Sequence, residues 1–293
     1  MHAFYGISVL LGAGSAVFYL GSAVATESRL HWSWTADVAD IGRTYGTNLF
    51  DDWGTPENSW NTHLVRGGVA PDGTPALEIL SQKDSHSGPN ITFRQVENID
   101  HIVAEYRVFL ASDYDLPDVN HLKLNAVWGG NSDTTKAGEE VPPDRAQVRS
   151  ALSESGWELY SYHWNKEGNG KYGEITGSEA FPDLGAWVKV GIELKVESDG
   201  SADGYMKLYI NDVLAAENYD VDFFGNDGHG FDGFVLSTYH GGAHLDDRPE
   251  QDQSLWMTDF KLYEVVEAEA ELGFEADPDY RMGAEGHENR ANN

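Results

Sequence analysis

The sequence predicts an all-β fold, an antiparallel β-sandwich in one domain. Three observations lead there: 32 glycines together with 12% aromatic residues, short runs in which apolar and polar residues alternate between turn-forming clusters, and no sustained helical period after the N-terminus. A chain of 293 residues is long enough to bury a sizeable core in such a fold.

The elements follow in order. Residues 3 to 20 are almost wholly apolar and lead into Ala23-Val24-Ala25, an A-x-A cleavage pattern, so residues 1–25 read as a secretory signal. The stretch before the apolar run carries no Lys or Arg, only His2, which keeps an uncleaved membrane anchor as the alternative. Either way the folded part is expected outside the cytoplasm, extracellular or periplasmic, with no membrane partner once the signal is removed. After a turn-rich entry at Asp51, Asp52, Gly54 and Pro56, ALEIL (76–80) and NITFRQV (90–96) read as a pair of strands around a polar loop. HIVAEYRVFL (101–110) puts Ile102, Ala104, Tyr106 and Val108 on one face and Glu105 and Arg107 on the other. AWVKVGIELKV (186–196) turns Val188, Val190, Ile192, Leu194 and Val196 inward, and DGYMKLYINDVLAAE reads as a hairpin turning at Asn211 and Asp212. GFVLSTYHGG and SLWMTDFKLYEV complete the domain, which spans 26–265. Residues 266–293 read as an acidic, solvated tail, with a short helix at VVEAEAEL as the alternative.

Composition removes several functions. A formal charge of −30, from 49 acidic against 19 basic residues, argues against nucleic acid as a partner, because phosphate binding needs a net basic face. It fits a solvated acidic exterior in a saline medium. A polyanionic substrate would then require a locally positive cleft, for which Lys123, Arg149, Arg107, Arg94, Lys83 and Arg66 are the candidates. The absence of cysteine excludes disulfides, thiolate metal sites and a cysteine nucleophile. The 11 histidines are scattered without an HExxH motif, and the Asp/Gly-rich DFFGNDGHGFDG departs from an EF-hand loop, so neither a metal nor any other cofactor is expected. GxSxG and GxxxxGK[ST] are absent too. For glycoside hydrolysis the best local acid pair is Glu174 and Glu179, whose spacing of five places them on opposite faces of a strand.

Three neighbouring stretches carry polar residues two apart: Lys123 stands in HLKLNAVWGG, Gln147 and Arg149 in AQVRS, Tyr160 and Tyr162 in WELYSYHW. On strands each pair shares a face. Two cations, an amide and two phenols are the equipment for holding a carboxylate and moving a proton beside it. A uronate polymer can be cut by β-elimination, in which the C5 proton next to the carboxylate is removed and the oxygen at C4 leaves. Arg149, Lys123 and Gln147 suit the carboxylate, and a tyrosine whose pKa is lowered by those cations suits the proton. Taken singly, each of these residues is more often a packing aromatic or a surface ion.

YRVFLASDYDLPDVNHLKLNAVWGG, followed by QVR, WELYSYH and DGFVLSTYHGG, resembles polysaccharide lyase family 14, the alginate and glucuronan lyase group, over about residues 75 to 263. The resemblance implies a β-jelly roll. In that family a lysine opens a K-L-P-G-L-x-G-G segment, one strand carries S-x-R and the next Y-x-Y. Lys123, Arg149, Tyr160 and Tyr162 match, while Gln147 replaces the serine and Asn125 and Ala126 replace Pro-Gly. The resemblance implies a tyrosine as base or acid, with Tyr162 leading and Tyr160 sharing the transfer. By parity His121 lies on the face of Lys123 and is a further candidate, whereas His163 falls opposite Tyr162. Arg94, Arg107, Tyr239, His240 and Trp164 are expected as substrate-binding residues, with Trp128 another aromatic for stacking on sugar rings. The expected function is a secreted polysaccharide lyase that cleaves an anionic, alginate- or glucuronan-type polysaccharide by metal-independent β-elimination. The alternatives are a lectin-like jelly roll, which would bind without cutting, and a glycoside hydrolase, which would release reducing ends without a double bond.

Overall fold

The computed structural model describes residues 26–54, 56–116, 121–131, 141–164, 173–198, 201–225, 227–241 and 248–267. The expected signal (1–25) and the tail beyond 267 lie outside them. The described chain is almost entirely strand: β1 (Thr26–Trp34), β2 (Pro56–Trp60), β3 (Val65–Val69), β4 (Pro75–Ser81), β5 (Ser87–Ile99), β6 (His101–Leu110), β7 (Leu122–Gly130), β8 (Arg145–Ser153), β9 (Gly156–Tyr162), β10 (Glu174–Gly177), β11 (Trp187–Lys195), β12 (Gly204–Ile210), β13 (Val213–Val221), β14 (Phe231–His240) and β15 (Gln253–Glu267). One sheet runs β13-β12-β11-β6-β15-β4-β3, with β1 paired to β15, and the other runs β10-β9-β8-β7-β14-β5-β2. All ladders between these strands are antiparallel.

Alternation decides what the layers bury. Val188, Val190, Ile192 and Leu194 of β11 and Ile102, Ala104, Tyr106 and Val108 of β6 point between the sheets and are buried, as their period of two requires. The inner faces meet in a core where Trp53 packs on Phe260 and Phe93 with ring centroids 4.8 and 5.1 Å away. The Tyr106 hydroxyl reaches across it to Ser150 Oγ at 2.5 Å. The hairpin joining β12 and β13 turns on Asn211 (φ 51°) and Asp212 (φ 66°). Two successive left-handed residues make the turn that matches strand twist, and Asn and Asp tolerate that conformation best after glycine.

Two expectations need correction. ALEIL and NITFRQV do not pair: β4 lies between β15 and β3, whereas β5 lies between β14 and β2 in the other sheet. The segment between them carries the chain across the sandwich, and alternation identifies strands without identifying their partners. Val265, Val266 and Glu267 continue β15 instead of opening a helix; the rest of VVEAEAEL lies outside the described residues.

One irregularity in β7 positions everything that follows. Lys123 pairs with Ala151 of β8, and Ala126 pairs with Arg149, so three steps along β7 oppose two along β8. This is a β-bulge. Leu124 belongs to the core between the sheets, and Asn125 also turns inward, its Nδ2 donating to Met257 Sδ of the opposite sheet at 3.1 Å and its Oδ1 accepting from the Ser237 N–H at 3.1 Å. With two consecutive residues facing in, Lys123 stands on the same outer face as Ala126 and Trp128. Unbroken alternation would have separated them.

Asn125→Ala leaves a buried N–H without its acceptor, so it is expected to lower stability by about 1–3 kcal/mol, measured by urea denaturation. An unchanged midpoint would show that the amide does not hold the bulge.

Candidate active site

Residues directly opposite each other on neighbouring strands share a face, and three rows of such pairs cross the outer face of the β10-β9-β8-β7-β14-β5-β2 sheet. The first runs Tyr162, Gln147, Trp128, Gly233, Arg94; the second Tyr160, Arg149, Ala126, Val235, Thr92; the third Glu158, Ala151, Lys123, Tyr239, Ser87. Lys123, Gln147, Arg149, Tyr162 and Tyr239 thereby line one cleft of about 240 Å³, together with Trp60, Gly88, Pro89, Asn90, Ser237 and Thr238.

The polar groups hold one another in place. Arg149 Nε donates to Gln147 Oε1 at 3.1 Å, and its Nη1 donates to Ser237 Oγ at 2.9 Å and to the Leu124 carbonyl at 3.3 Å. The last contact runs to a residue of the bulge, so the distortion of β7 also anchors the guanidinium. Lys123 Nζ sits 3.6 Å from the centre of the Tyr160 ring and 5.6 Å from that of Tyr239. The Tyr160 and Tyr162 hydroxyls are 3.4 Å apart, and the Gly173 N–H donates to the Tyr160 oxygen at 3.0 Å. Gly173 must be glycine here, because a Cβ would come within 2.1 Å of the Tyr160 ring.

These contacts separate the two phenols. Burial by itself would raise Tyr160, but the Lys123 charge, the hydrogen bonds from Tyr162 and Lys123, and the Gly173 N–H outweigh it and hold the phenol below its ordinary pKa. Tyr162 goes the other way. Burial and then the charge on Tyr160 raise it, and Arg149 opposes them only in part. Burial lowers Lys123, with Tyr160 pulling it back up and Arg149 pressing it further down. The cation effect expected at Tyr162 therefore acts on Tyr160, because the ammonium lies over that ring. One weakened ammonium and one phenol held above its ordinary pKa line the cleft, with the acidified phenol packed directly against both.

The expected substrate contacts divide. Tyr239 lines the cleft, its ring stacked on His86 at 6.1 Å. His121 lies on the face of Lys123 as parity required, its ring 6.1 Å from that of Tyr160 and its Nδ1 2.5 Å from Glu158 Oε2. That contact is close, but its angles fall outside hydrogen-bond geometry. Arg94 shares the outer face, but its guanidinium is committed to Glu57 (3.0 Å) and Asp232 (2.9 Å) and lies over Trp128. Trp128 is buried beneath it, donating to the Phe93 carbonyl, so it offers no stacking surface.

Three expectations fail on position. Arg107 belongs to β6 of the other sheet, paired with Asp259 at 3.2 Å and lying over Trp187; alternation gave its face but not its sheet. His240 is opposite Leu122, a core residue, so its side chain turns inward while its neighbour Tyr239 turns out. Trp164 lies past the end of β9 beside Gly225, away from the cleft lining. Arg66 also leaves the candidate cations, bound to Glu78 on the other sheet. Glu174 is engaged by His163 at 3.1 Å and Asn218 at 2.7 Å, a structural use that removes the hydrolase acid pair. Among the described residues no three His, Asp or Glu gather as a metal-binding group, and in DFFGNDGHGFDG Asp222 accepts from the Gly225 N–H as an ordinary turn does.

Sequence reasoning missed Ser237, Asn90 and Trp60. Asn90 and Thr92 precede Arg94 at steps of two, and Ser237 precedes Tyr239 by two, so alternation carried a signal for both Asn90 and Ser237. Nothing periodic marked Trp60.

An outer-face cleft with two cations and two differentiated phenols beside it, set on a β-sandwich, is equipped for acid–base chemistry next to an anionic group. The sequence profile described as Polysaccharide lyase 14 matches residues 79–260. The chain belongs to polysaccharide lyase family 14 and is a polysaccharide lyase. A search of curated proteins gives no match. Among solved structures, the PL-14 alginate lyase from Aplysia kurodai superimposes with a TM-score of 0.70 at 17% identity, covering 80% of this chain and 98% of that one. Alginate lyase vAL-1 from Chlorella virus gives 0.61 at 16% identity, covering 78% and 98%. The endo-β-1,4-glucuronan lyase from Trichoderma reesei gives 0.53 at 16% identity, covering 80% and 95%. These likenesses establish the jelly-roll sandwich.

Lys123→Met removes the charge over Tyr160 and keeps its burial, so the phenol that titrates lowest is expected to move to higher pKa. Tyrosinate absorbance against pH, with Tyr160→Phe to assign the signal, measures it. A low-titrating phenol that persists in Lys123→Met would contradict the pairing.

Proposed function

We propose that the protein cleaves a polyuronate of the alginate or glucuronan type by β-elimination without a metal, outside the cytoplasm after loss of residues 1–25, giving unsaturated oligosaccharides. The observation that carries this reading is that Lys123, Arg149, Gln147 and Tyr162 line one cleft, with Tyr160 packed against Lys123 and Tyr162. The solved relatives are named as alginate and glucuronan lyases, and one alginate lyase of the same fold was solved with an alginate trisaccharide. Secretion rests on the apolar N-terminal stretch and its A-x-A site.

The acidity of C5 is the chemical obstacle. Arg149 and the NH₂ donors of Gln147 neutralise the uronate carboxylate as charge builds on it, which is the task a metal would otherwise perform. Lys123 is lowered by burial and Tyr160 by Lys123, and the pair acts from the form that has lost one proton. The cleft-facing amine of that pair takes the proton from C5. The C5–H electron pair becomes the C4=C5 double bond, and the C4–O4 bond breaks with its electrons on O4. Tyr162, which keeps its proton, donates it to O4. The site resets when Tyr160 passes its proton to Tyr162 across 3.4 Å and Lys123 passes the one it gained to Tyr160.

Incubation with alginate, glucuronan and related polymers, following near-ultraviolet absorbance and reducing ends together, tests the reading. Both signals are expected to rise in step, with Tyr162→Phe lowering the rate about 10²–10⁴-fold and leaving the fold intact. Reducing ends without absorbance would mean hydrolysis, binding without either would mean a lectin, and an unimpaired Tyr162→Phe would remove that residue from the chemistry.

A further inference from the structure

The cations of the cleft are gathered at one end. From Lys123 on β7 the surface continues over β14 and β5 to β2, where the described lining is Ser237, Thr238, Asn90, Gly88, Pro89 and finally Trp60, with no charged side chain among them. Trp60 lies three strands from Lys123, roughly 14 Å at a strand spacing of ~4.8 Å.

An exposed aromatic residue on a sheet edge is unremarkable by itself. Trp60 differs from the other exposed apolar residues, such as Phe181 and Val38, in lining the cleft while remaining 43% exposed. Its position is also built. It is opposite Asn90 in the β2–β5 ladder, and the next residue, Asn61, takes a left-handed backbone (φ 54°) and donates its side-chain N–H to the Gly88 carbonyl at 3.1 Å. That bond ties the end of β2 to the cleft floor. Gly88 lies so close to β14 that a Cβ would come within 1.9 Å of Thr238 Oγ1, which keeps the floor low beside the indole. A half-exposed indole beside a low floor edged by amide and hydroxyl groups is a surface for the apolar face of a pyranose ring, with the polar groups meeting its hydroxyls.

We propose that Trp60 forms a distal sugar subsite that holds the polymer by ring stacking, without reading its carboxylate. The inference rests on the polyuronate reading for the identity of the polymer. It separates two modes of binding along one groove: charge recognition around Arg149, which salt screens, and face recognition at Trp60, which salt leaves largely intact. Sugars too short to reach β2 from the cations make only the first contact. A uronate at the Trp60 end keeps its carboxylate in water, so a residue there with a masked or missing carboxylate is accepted equally well.

The test compares the wild type, Trp60→Ala and Trp60→Phe on a long glycuronan and on its trisaccharide, at low and high salt. Trp60→Ala is expected to raise KM for the polymer about tenfold with kcat within twofold, to leave the trisaccharide unaffected, and to show the same KM ratio at both salt concentrations. Trp60→Phe should recover much of the loss. Titration calorimetry of polymer binding provides a readout independent of turnover, with the same loss of affinity expected. Normal cleavage with an unchanged KM in Trp60→Ala would overturn this inference alone, as would a loss confined to kcat or a KM effect that salt abolishes. Polymer that binds without being cleaved, with affinity lost in Trp60→Ala, would support the subsite and sink the lyase reading. No binding and no cleavage of any glycuronan would overturn both.

Discussion

A buried ammonium lying on a phenol ring, with a guanidinium close by, is the arrangement on which the rest of the site depends. Lys123 would be costly in this position without compensation, because burial disfavours its charge and Arg149 repels it. The Tyr160 ring at 3.6 Å provides the compensation. A cation over an aromatic face is worth about 0.5–2 kcal/mol, and the phenol can also give up its proton to the pair. The effect runs one way: the ammonium lowers Tyr160, whereas Tyr160 draws Lys123 back up against the burial and the Arg149 charge that lower it. Tyr162 shares Tyr160's strand and face but lies outside this pairing, so it keeps its proton. Two phenols two residues apart thus acquire opposite chemical roles from one ammonium.

The fold provides for this arrangement through the bulge in β7. Turning Leu124 and Asn125 inward together sends Lys123 to the outer face and aims the Leu124 carbonyl at Arg149. Asn125 holds the distortion from within by bonding both β14 and the opposite sheet. The substitution of Pro-Gly by Asn-Ala at this point of the family pattern, and of serine by Gln147, is therefore reconciled locally. Asn125 fixes the bulge through its side chain, and Gln147 aligns Arg149 through Oε1. The cleft also answers the paradox that a polyanion is the proposed substrate of a chain with a formal charge of −30. Other arginines are neutralised by acids, Arg94 by Glu57 and Asp232, Arg66 by Glu78, Arg107 by Asp259, while Lys123 and Arg149 are set against phenols, an amide and a hydroxyl.

Much of this was legible in the residues, and the misses share a cause. Pairs within one strand were placed correctly, because β8 and β9 run against each other without a register shift and alternation alone puts Gln147 with Arg149 and Tyr160 with Tyr162. Periodicity carries no record of which strands become neighbours, so Arg107 was placed in the wrong sheet and ALEIL was paired with NITFRQV. It also forbids Tyr239 and His240 from sharing a face, a constraint that should have separated them. The difference between Tyr160 and Tyr162 depends on where Lys123 Nζ ends up after a bulge, a through-space fact no spacing encodes. Trp60 sits on a short edge strand, PENSW, without alternation, and joins the site only because β2 closes the far side of the sheet.

The claim at the centre is that Lys123 and Tyr160 act as one proton-sharing unit, and a double-mutant cycle on kcat/KM tests it most directly. Lys123→Met, Tyr160→Phe and the double variant are compared with the wild type on one polyuronate. If the pair is a unit, either substitution alone costs nearly as much as both together, leaving a large coupling term. Losses that simply add on a logarithmic scale would show two independent residues and contradict the account.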